Sequence, residues 1–340
     1  MATAPPRLSV AMTTYQGARY LEEQLTTLLG QSTPPDEIVI SDDASTDGTW
    51  GLLREFARTS PTPVRLLRQT HNVGLRANIE QALFECRGAV VVLADQDDLW
   101  MPDKLAAIAH AFRDPDVMLW FSDAALIDQD GADLGATAWQ ATHFDADEQR
   151  RMLAGSGLER LLHGMTVTGA TMAVRSEVVS MALPLPVEVG GPGGLFLHDA
   201  WLALLASLRG RVVIDRTQFT AYRQHREQIT GRSMAQVTHD QHSLPSPPLR
   251  PEAEALRRRR QLALDHARTK LVAERLREKE ATPSCREDAV HELLLRESFL
   301  DVRVLPRGEP RRRVQVLREL LLGHYSRFAR GVLTAAKDLA

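Results

Sequence analysis

The sequence predicts an α/β fold: a mostly parallel sheet with helices on both faces, followed by a separate helical region. Three observations predict it. Strand-like and helix-like segments alternate without interruption from residue 8 to residue 94, the order that builds a doubly wound parallel sheet. One of those strands, Ala89 to Ala94, is a continuous apolar run, as strands covered on both faces are. Beyond residue 244 strand-like segments cease, and arginine-rich stretches with helical periodicity take over.

The elements follow in order. Leu8 to Thr14 is a first strand, closed by a turn at Gly17. Tyr20, Leu21, Leu25, Leu28 and Leu29 then space an apolar helical stripe over Ala18 to Leu29, which Gly30 and the Pro34-Pro35 pair stop. Glu37 to Ser41 is a second strand ending at Asp42-Asp43. Ser45-Thr46-Asp47-Gly48 supplies turn and cap chemistry for a helix from Thr49 to Arg58. Val64 to Arg68 is a third strand, Arg76 to Cys86 a helix, and Ala89 to Ala94 the fourth strand.

Farther on, Pro102 to Phe112 reads as a helix and Val117 to Asp123 as a strand. A loop-rich span from Gly131 to Gly157 contains Trp139 and Phe144, which either pack or line an acceptor site. Thr166 to Val174 reads as a strand, Gly190 to Gly194 as a hinge or lid, and Ala200 to Leu208 as an apolar helix. Arg211 to Asp215 and Phe219 to His225 read as two short strands. The proline-rich Leu244 to Leu249 marks a linker. Helices are expected over Glu252–Lys279, Arg286–Phe299 and Arg313–Leu339.

Composition narrows the function. A chain of 340 residues, 44% hydrophobic and 25% charged, can bury a sizeable core as one large domain or two modest ones. A net charge of −3 argues against a general nucleic-acid binder. Two cysteines, Cys86 and Cys285, do not make a disulfide framework and fit a reducing cytoplasm. The N-terminus has no signal-peptide pattern, and no window of 18 apolar residues offers a membrane span. These features predict a soluble cytoplasmic protein.

The acids carry the chemistry. In a doubly wound sheet ligands sit beyond the carboxyl ends of the strands, and both Asp42-Asp43 and Asp95-Gln96-Asp97-Asp98 fall at that edge. Three carboxylates within four residues repel one another. A hard divalent cation, Mg²⁺ or Mn²⁺, shared with substrate phosphates would reconcile them; the plainer alternative is a solvated turn, with Asp98 capping the next helix. Asp199, after the glycine run, adds a further carboxylate, which can simply cap its helix.

The chain resembles the family 2 glycosyltransferases with the GT-A fold, and among them the bacterial O-antigen and polysaccharide rhamnosyltransferases. The resemblance spans residues 7–231. It rests on Met12-Thr-Thr-Tyr-Gln-Gly, Ile40-Ser-Asp-Asp-Ala-Ser-Thr-Asp-Gly-Thr, Asn72-Val-Gly, Ala94-Asp-Gln-Asp-Asp-Leu-Trp, Leu197-His-Asp-Ala-Trp and Tyr222-Arg-Gln-His. It implies a nucleotide-sugar transferase domain over residues 1–243 and an appended helical region over 244–340.

The resemblance also implies roles. Thr13 and Asp43 would contact a pyrimidine base, with Asp42 supporting the turn. Asp95 and Asp97 match the D-x-D motif, the first toward ribose and metal, the second on the metal. His225 would add a metal or diphosphate contact, and Asp199 would be the base. His198 would pack or position its loop. Arg76 would reach nucleotide or diphosphate, or stay at the surface, and Arg223 and Arg226 would assist phosphates or be solvated. The donor would be a nucleotide sugar, with dTDP-rhamnose one candidate, and the acceptor a lipid-linked or surface glycan. Two departures, Ala200 before Trp201 and Arg226-Glu227 where relatives carry Gly-Asn, sit on the acceptor side and weaken transfer of acceptor identity.

Two other functions fit the same residues. A nucleotidyltransferase or nucleotide-sugar hydrolase would need a basic, glycine-rich phosphate loop, of which Thr14-Tyr-Gln-Gly-Ala-Arg is a thin version. A non-catalytic component of a polysaccharide assembly complex would have little use for intact acid clusters. The arginine blocks at 257–260 and 311–313, beside Val316, Leu317, Leu320 and Leu321, are either helix packing faces with solvated arginines or a peripheral contact with anionic lipid.

Overall fold

A computed structural model describes residues 5–163, 166–190, 194–226, 228, 251–279, 285–305, 310–329, 334–335 and 338. The chain divides into two compact units, Met1–Leu244 and Pro245–Ala340.

The first unit is built on one mixed sheet. Its strands are β1 (Leu8–Thr14), β2 (Glu37–Asp42), β3 (Val64–Arg68), β4 (Val90–Ala94), β5 (Leu99–Trp100), β6 (Val117–Ile127), β7 (Asp133–Thr137), β8 (Met172–Arg175) and β9 (Arg211–Arg223). The helices are α1 (Leu21–Leu29), α2 (Thr49–Thr59), α3 (Gly74–Glu85), α4 (Lys104–Ala111), α5 (Ala138–Ala141), α6 (Ala146–Arg151), α7 (Gly157–His163), α8 (Ser176–Ala182) and α9 (His198–Arg209). The strand order is β3-β2-β1-β4-β8-β6-β9-β5, with β7 pairing with the last residues of β6, beyond the stretch that pairs with β8.

The β3-β2-β1-β4 half is parallel throughout, as the alternation of segments predicts. The other half corrects the expectation of a mostly parallel sheet. There β8 runs antiparallel to both β4 and β6, and β5 runs antiparallel to β9, while β6 and β9 are parallel. The cause lies in where the chain re-enters: β6 ends and β8 begins at the same edge of the sheet, so β8 enters without the crossover to the opposite edge that a parallel neighbour needs.

Side chains alternate across the sheet. Leu8, Val10, Met12, Ile38, Ile40, Val90 and Val92 share one core with Leu21, Leu25 and Leu28 of α1, Leu53 and Phe56 of α2, and Leu105 and Ile108 of α4. Helix α3 lies outside that core and packs against β1 and β2, covering the opposite face. Complete burial of Leu, Ile or Val contributes about 1.5–3 kcal/mol per side chain, and Val10, Leu21, Ile38 and Val92 are each fully enclosed.

Three further expectations change. Residues 211–223 form one strand rather than two; the polar Arg216, Thr217 and Gln218 interrupt the hydrophobic pattern where the ladder to β6 shifts register, without breaking the strand. The segment 166–174 is a strand only from Met172, preceded by a 3-10 turn at Gly169–Thr171. Trp139 and Phe144 are buried against each other and Phe121 in a packed aromatic cluster. Most of the glycine run, residues 191–193, and the proline-rich 244–249 segment lie outside the described residues.

The second unit comprises α10 (Pro251–Glu278), α11 (Glu287–Val304), α12 (Pro310–Leu321) and α13 (His324–Phe328). The single helix expected over Arg313–Leu339 is broken at Gly323, whose φ of 76° lies in the left-handed region and ends α12. Phe299, Leu300, Val316 and Tyr325 form its core. Among the described residues no helix is long and apolar enough to cross a membrane.

Candidate active site

The register of the parallel strands aligns the sequence-predicted residues. Met12 pairs with Ala94, and Thr13 with Ser41, so Thr13, Asp43 and Asp95 lie at the carboxyl ends of three adjacent strands, β1, β2 and β4. Loops at this edge are stitched together. Gln96 exchanges two hydrogen bonds with the backbone of Tyr15, at 2.9 and 3.0 Å. Asp42 is buried and accepts from Thr14 Oγ1, the Ser45 amide and Ser45 Oγ, supporting the turn as the sequence predicts. Asp43 accepts the amides of Val73 and Gly74 at 2.7 and 2.9 Å, which fixes the turn entering α3. A carboxylate has about four lone-pair sites, so two bonds leave acceptor capacity.

The acid run after β4 splits by direction. Asp97 Oδ2 lies 2.8 Å from His225 Nε2, across 128 residues of chain. The His225 ring lies 5.0 Å from that of Tyr20, tilted by 44°, and its Nδ1 is buried with no hydrogen-bond partner. Asp98 turns the other way. It is fully buried, one oxygen accepts the Arg223 amide at 2.9 Å, and the other has no partner. It does not cap α4, because β5 intervenes and Asp103 occupies the cap position.

Arg223 is likewise neither solvated nor free for a phosphate. Its guanidinium donates to the carbonyls of Asp97 at 2.8 Å and Gln129 at 3.3 Å and to Glu23 at 2.7 Å, and lies 4.7 Å over Tyr20. It clamps the backbone that presents Asp97. Arg226 is exposed. Arg76 points toward Glu80 and the Leu185 carbonyl, both at the edge of hydrogen-bonding range; no contact joins it to the acid cluster among the described residues.

Asp199 lies in the first turn of α9. It accepts the Gly169 amide at 3.0 Å and the Ala200 amide at 2.7 Å, so it holds the 169–171 turn as well as its own helix end. Gly169 is close-packed: a Cβ there would come 3.3 Å from His198 Nε2. His198 is buried, and its pKa is lowered by that burial against the opposing pull of Asp199.

The electrostatics join these groups into one neighbourhood. Burial, then the Asp97 and Asp199 carboxylates, push the Asp95 carboxyl up to about 7. Burial with the charges of Asp97 and Asp95 drives Asp98 well above the ordinary range, against the Arg223 amide and Lys104. Tyr222 is raised by burial and by all four carboxylates, Asp95, Asp97, Asp98 and Asp199.

Such a site is short of positive charge. Asp97 and His225 present the two side chains best placed to hold a divalent ion, with Asp95 beside them, and a buried carboxylate cluster with a partnerless imidazole nitrogen fits a hard cation. Among the described residues no three His, Cys, Asp or Glu side chains converge at metal-holding distance.

Lys104, Tyr20 and Gly169 were not foreseen as site-supporting residues. A signal for Lys104 existed: it stands one helical turn before Ile108, on the buried face of α4.

Residues 9–149 match the family model described as glycosyl transferase family 2. The protein Rv1520 of Mycobacterium tuberculosis is 36% identical over 129 residues, 37% of this chain and 37% of that protein; this chain thus spans well under half the length of that relative. Two solved structures have the same fold. Staphylococcus aureus TarS 1–349, in complex with UDP-GlcNAc, is 19% identical with a TM-score of 0.51, covering 98% of this chain and 88% of that one. The mannosyltransferase PcManGT of Pyrobaculum calidifontis, in complex with GDP-Man and Mn²⁺, is 22% identical with a TM-score of 0.51, covering 91% and 89%. At these identities the likeness is one of fold.

Proposed function

We propose that this chain is an inverting, metal-dependent glycosyltransferase of the GT-A type, with its donor site in residues 1–243. The observation that carries it is the meeting of Asp97 and His225 at 2.8 Å on the strand-end edge that also bears Asp95, with the Asp199 carboxylate in the same electrostatic neighbourhood.

In this reading Thr13 and Asp43 hold the pyrimidine base, Asp95 the ribose, and Arg76 the nucleotide from the side of α3. Asp97 and His225, with Asp95, would hold Mn²⁺ or Mg²⁺, which when bound would offset charge developing on the leaving diphosphate. The acceptor hydroxyl oxygen attacks the anomeric carbon as the bond from that carbon to the diphosphate oxygen breaks. Its proton passes to the Asp199 carboxylate, and nucleoside diphosphate departs. Bonds from the Gly169 and Ala200 amides orient Asp199 while leaving it lone pairs for the incoming proton.

The motif resemblance favours dTDP-rhamnose as the first donor to try and a lipid-linked or surface glycan as acceptor, with the protein working in the cytoplasm. The helical unit supports peripheral contact with an anionic membrane. Residues 245–340 carry 21 Lys and Arg against 14 Asp and Glu, and Val314, Leu317 and Leu321 are exposed at i, i+3 and i+7 on α12. Flotation with vesicles containing phosphatidylglycerol tests this; equal recovery with neutral vesicles rejects it.

The deciding experiment is a mass-spectrometric screen of UDP-, dTDP- and GDP-sugars with Mn²⁺. Asp97→Asn and Asp199→Asn are each expected to lower transfer by about a hundredfold or more in a folded protein. Wild-type turnover in both variants overturns the reading. Hydrolysis of the donor with no transfer to any acceptor would favour a nucleotide-sugar hydrolase.

A further inference from the structure

Lys104 is the most deeply buried cation near the site, and no carboxylate closes an ion pair with it among the described residues. It is fully enclosed at the first position of α4. An ammonium has three donors. Here one reaches the Ala170 carbonyl at 2.6 Å and one the Thr220 hydroxyl at 3.0 Å, and the group lies 3.7 Å from the centre of the Trp100 ring. Burying an unpaired charge is costly, so the placement needs a return that packing alone does not supply.

Each contact leads toward a different part of the site. Ala170 belongs to the turn whose preceding residue, Gly169, donates to Asp199. Thr220 lies on β9, three residues before Arg223, whose amide and side chain hold Asp98 and the Asp97 backbone. Trp100 lies on β5, which pairs with β9 through the Trp100–Thr220 register. Burial lowers the Lys104 pKa to about 7, against the opposing charges of Asp98 and Asp95. One side chain therefore ties the turn that orients the proton-accepting carboxylate to the strand that presents the diphosphate side.

We propose that Lys104 is a positioning residue that fixes Asp199 relative to Asp97 and His225 by bracing the 169–171 turn against β9. The inference rests on the transferase reading for its kinetic consequence but not for its structural one.

Two measurements separate them. In Lys104→Met, a change that keeps length and removes the charge and donors, amide exchange across residues 169–171 is expected to quicken by about tenfold as the turn loses its brace. In the same variant kcat for sugar transfer falls by about tenfold or more while donor KM stays within about threefold, since Thr13 and Asp43 are untouched. Thr220→Val, which removes one lysine anchor together with the direct bond from Thr220 Oγ1 to the Ala170 carbonyl at 3.3 Å, shifts both readouts in the same direction, and serves if Lys104→Met does not fold. Unchanged exchange at 169–171 overturns the positioning role whatever the activity. Faster exchange with a kcat loss that disappears once turnover is expressed per folded protein reduces Lys104 to a stabilising contact. A wild-type protein that transfers no sugar overturns the transferase reading and leaves the exchange result to stand.

Discussion

Arg223→Met tests whether the site depends on the clamp beneath Asp97. The arginine side chain is 2% exposed and makes three hydrogen bonds and one ring contact that methionine cannot make. Charge-assisted bonds to the Asp97 and Gln129 carbonyls contribute about 1.5 kcal/mol each at the low end of their range. The pair with Glu23, whose carboxylate is 60% exposed, is screened by solvent and adds under about 1 kcal/mol. The contact over Tyr20 adds about 1 kcal/mol. Allowing about 1 kcal/mol back for the apolar methionine, the expected loss is about 3 kcal/mol, a large part of the roughly 5–15 kcal/mol that holds a domain folded.

Urea unfolding followed by tryptophan fluorescence reads the effect selectively. All five tryptophans, Trp50, Trp100, Trp120, Trp139 and Trp201, lie in the first unit. The functional consequence is specific too. With Asp97 no longer held by its carbonyl, Mn²⁺-dependent nucleotide affinity, measured by calorimetry where the variant remains folded, is expected to fall by about tenfold. Arg223→Lys should recover little, because one ammonium cannot reach two carbonyls and a carboxylate in the fork geometry of a guanidinium. A stability loss below about 1 kcal/mol, or full nucleotide affinity in the folded variant, refutes the clamp.

Three more outcomes follow from contacts elsewhere. A Cβ on Gly17 would lie 2.2 Å from Gln96 Oε1, so Gly17→Ala must expel the Gln96 amide from its pair with Tyr15, at a cost of about 1–3 kcal/mol; tryptophan-monitored unfolding checks it. Burial, helped by the Glu37 charge, pushes the Cys86 thiol up to about 12, so at about pH 8 its thiolate fraction is lower than that of an ordinary cysteine by about a thousandfold. Iodoacetamide labelling with peptide mapping should leave Cys86 unmodified in the native protein. Because the folded pKa of Asp95 is raised to about 7 by burial, Asp97 and Asp199, the folded state binds the extra proton between about pH 4 and 7. The stability this group contributes is present at the acid end of that window and lost as pH rises through it. Without divalent metal, the first unit should therefore unfold at higher temperature near pH 5.5 than near pH 7.5, and Mn²⁺ should raise the midpoint more at the higher pH. Equal Mn²⁺ shifts at both would refute the assignment of the cation to this cluster.

The parallel half of the sheet was legible almost to the residue. β1, β2 and β4 are runs buried along their length, and the half-buried edge strand β3 is still marked by Val64, Leu66 and Leu67, so local pattern and final burial agree. The antiparallel half was less legible because its order depends on pairings over long separations. β8 is inserted between β4 and β6, and no periodicity within residues 172–175 records its neighbours. At the site, the same division holds. Residue type and strand-end position single out Asp43, Asp95 and Asp97, and the motif after the glycine run singles out Asp199, but none of this says which way a carboxylate turns. Asp97 and Asp98 are adjacent, yet one meets His225 and the other is sealed beneath Arg223. That choice is made by β9, which arrives more than a hundred residues later and brings His225, Arg223 and Thr220 together. β9 is therefore as much a part of the acidic motif as the residues that spell it. Substitutions on its polar middle, Arg216 to Gln218, should be tolerated far better than substitutions at Thr220 or Arg223, because only the latter reach the groups that decide how the acids face.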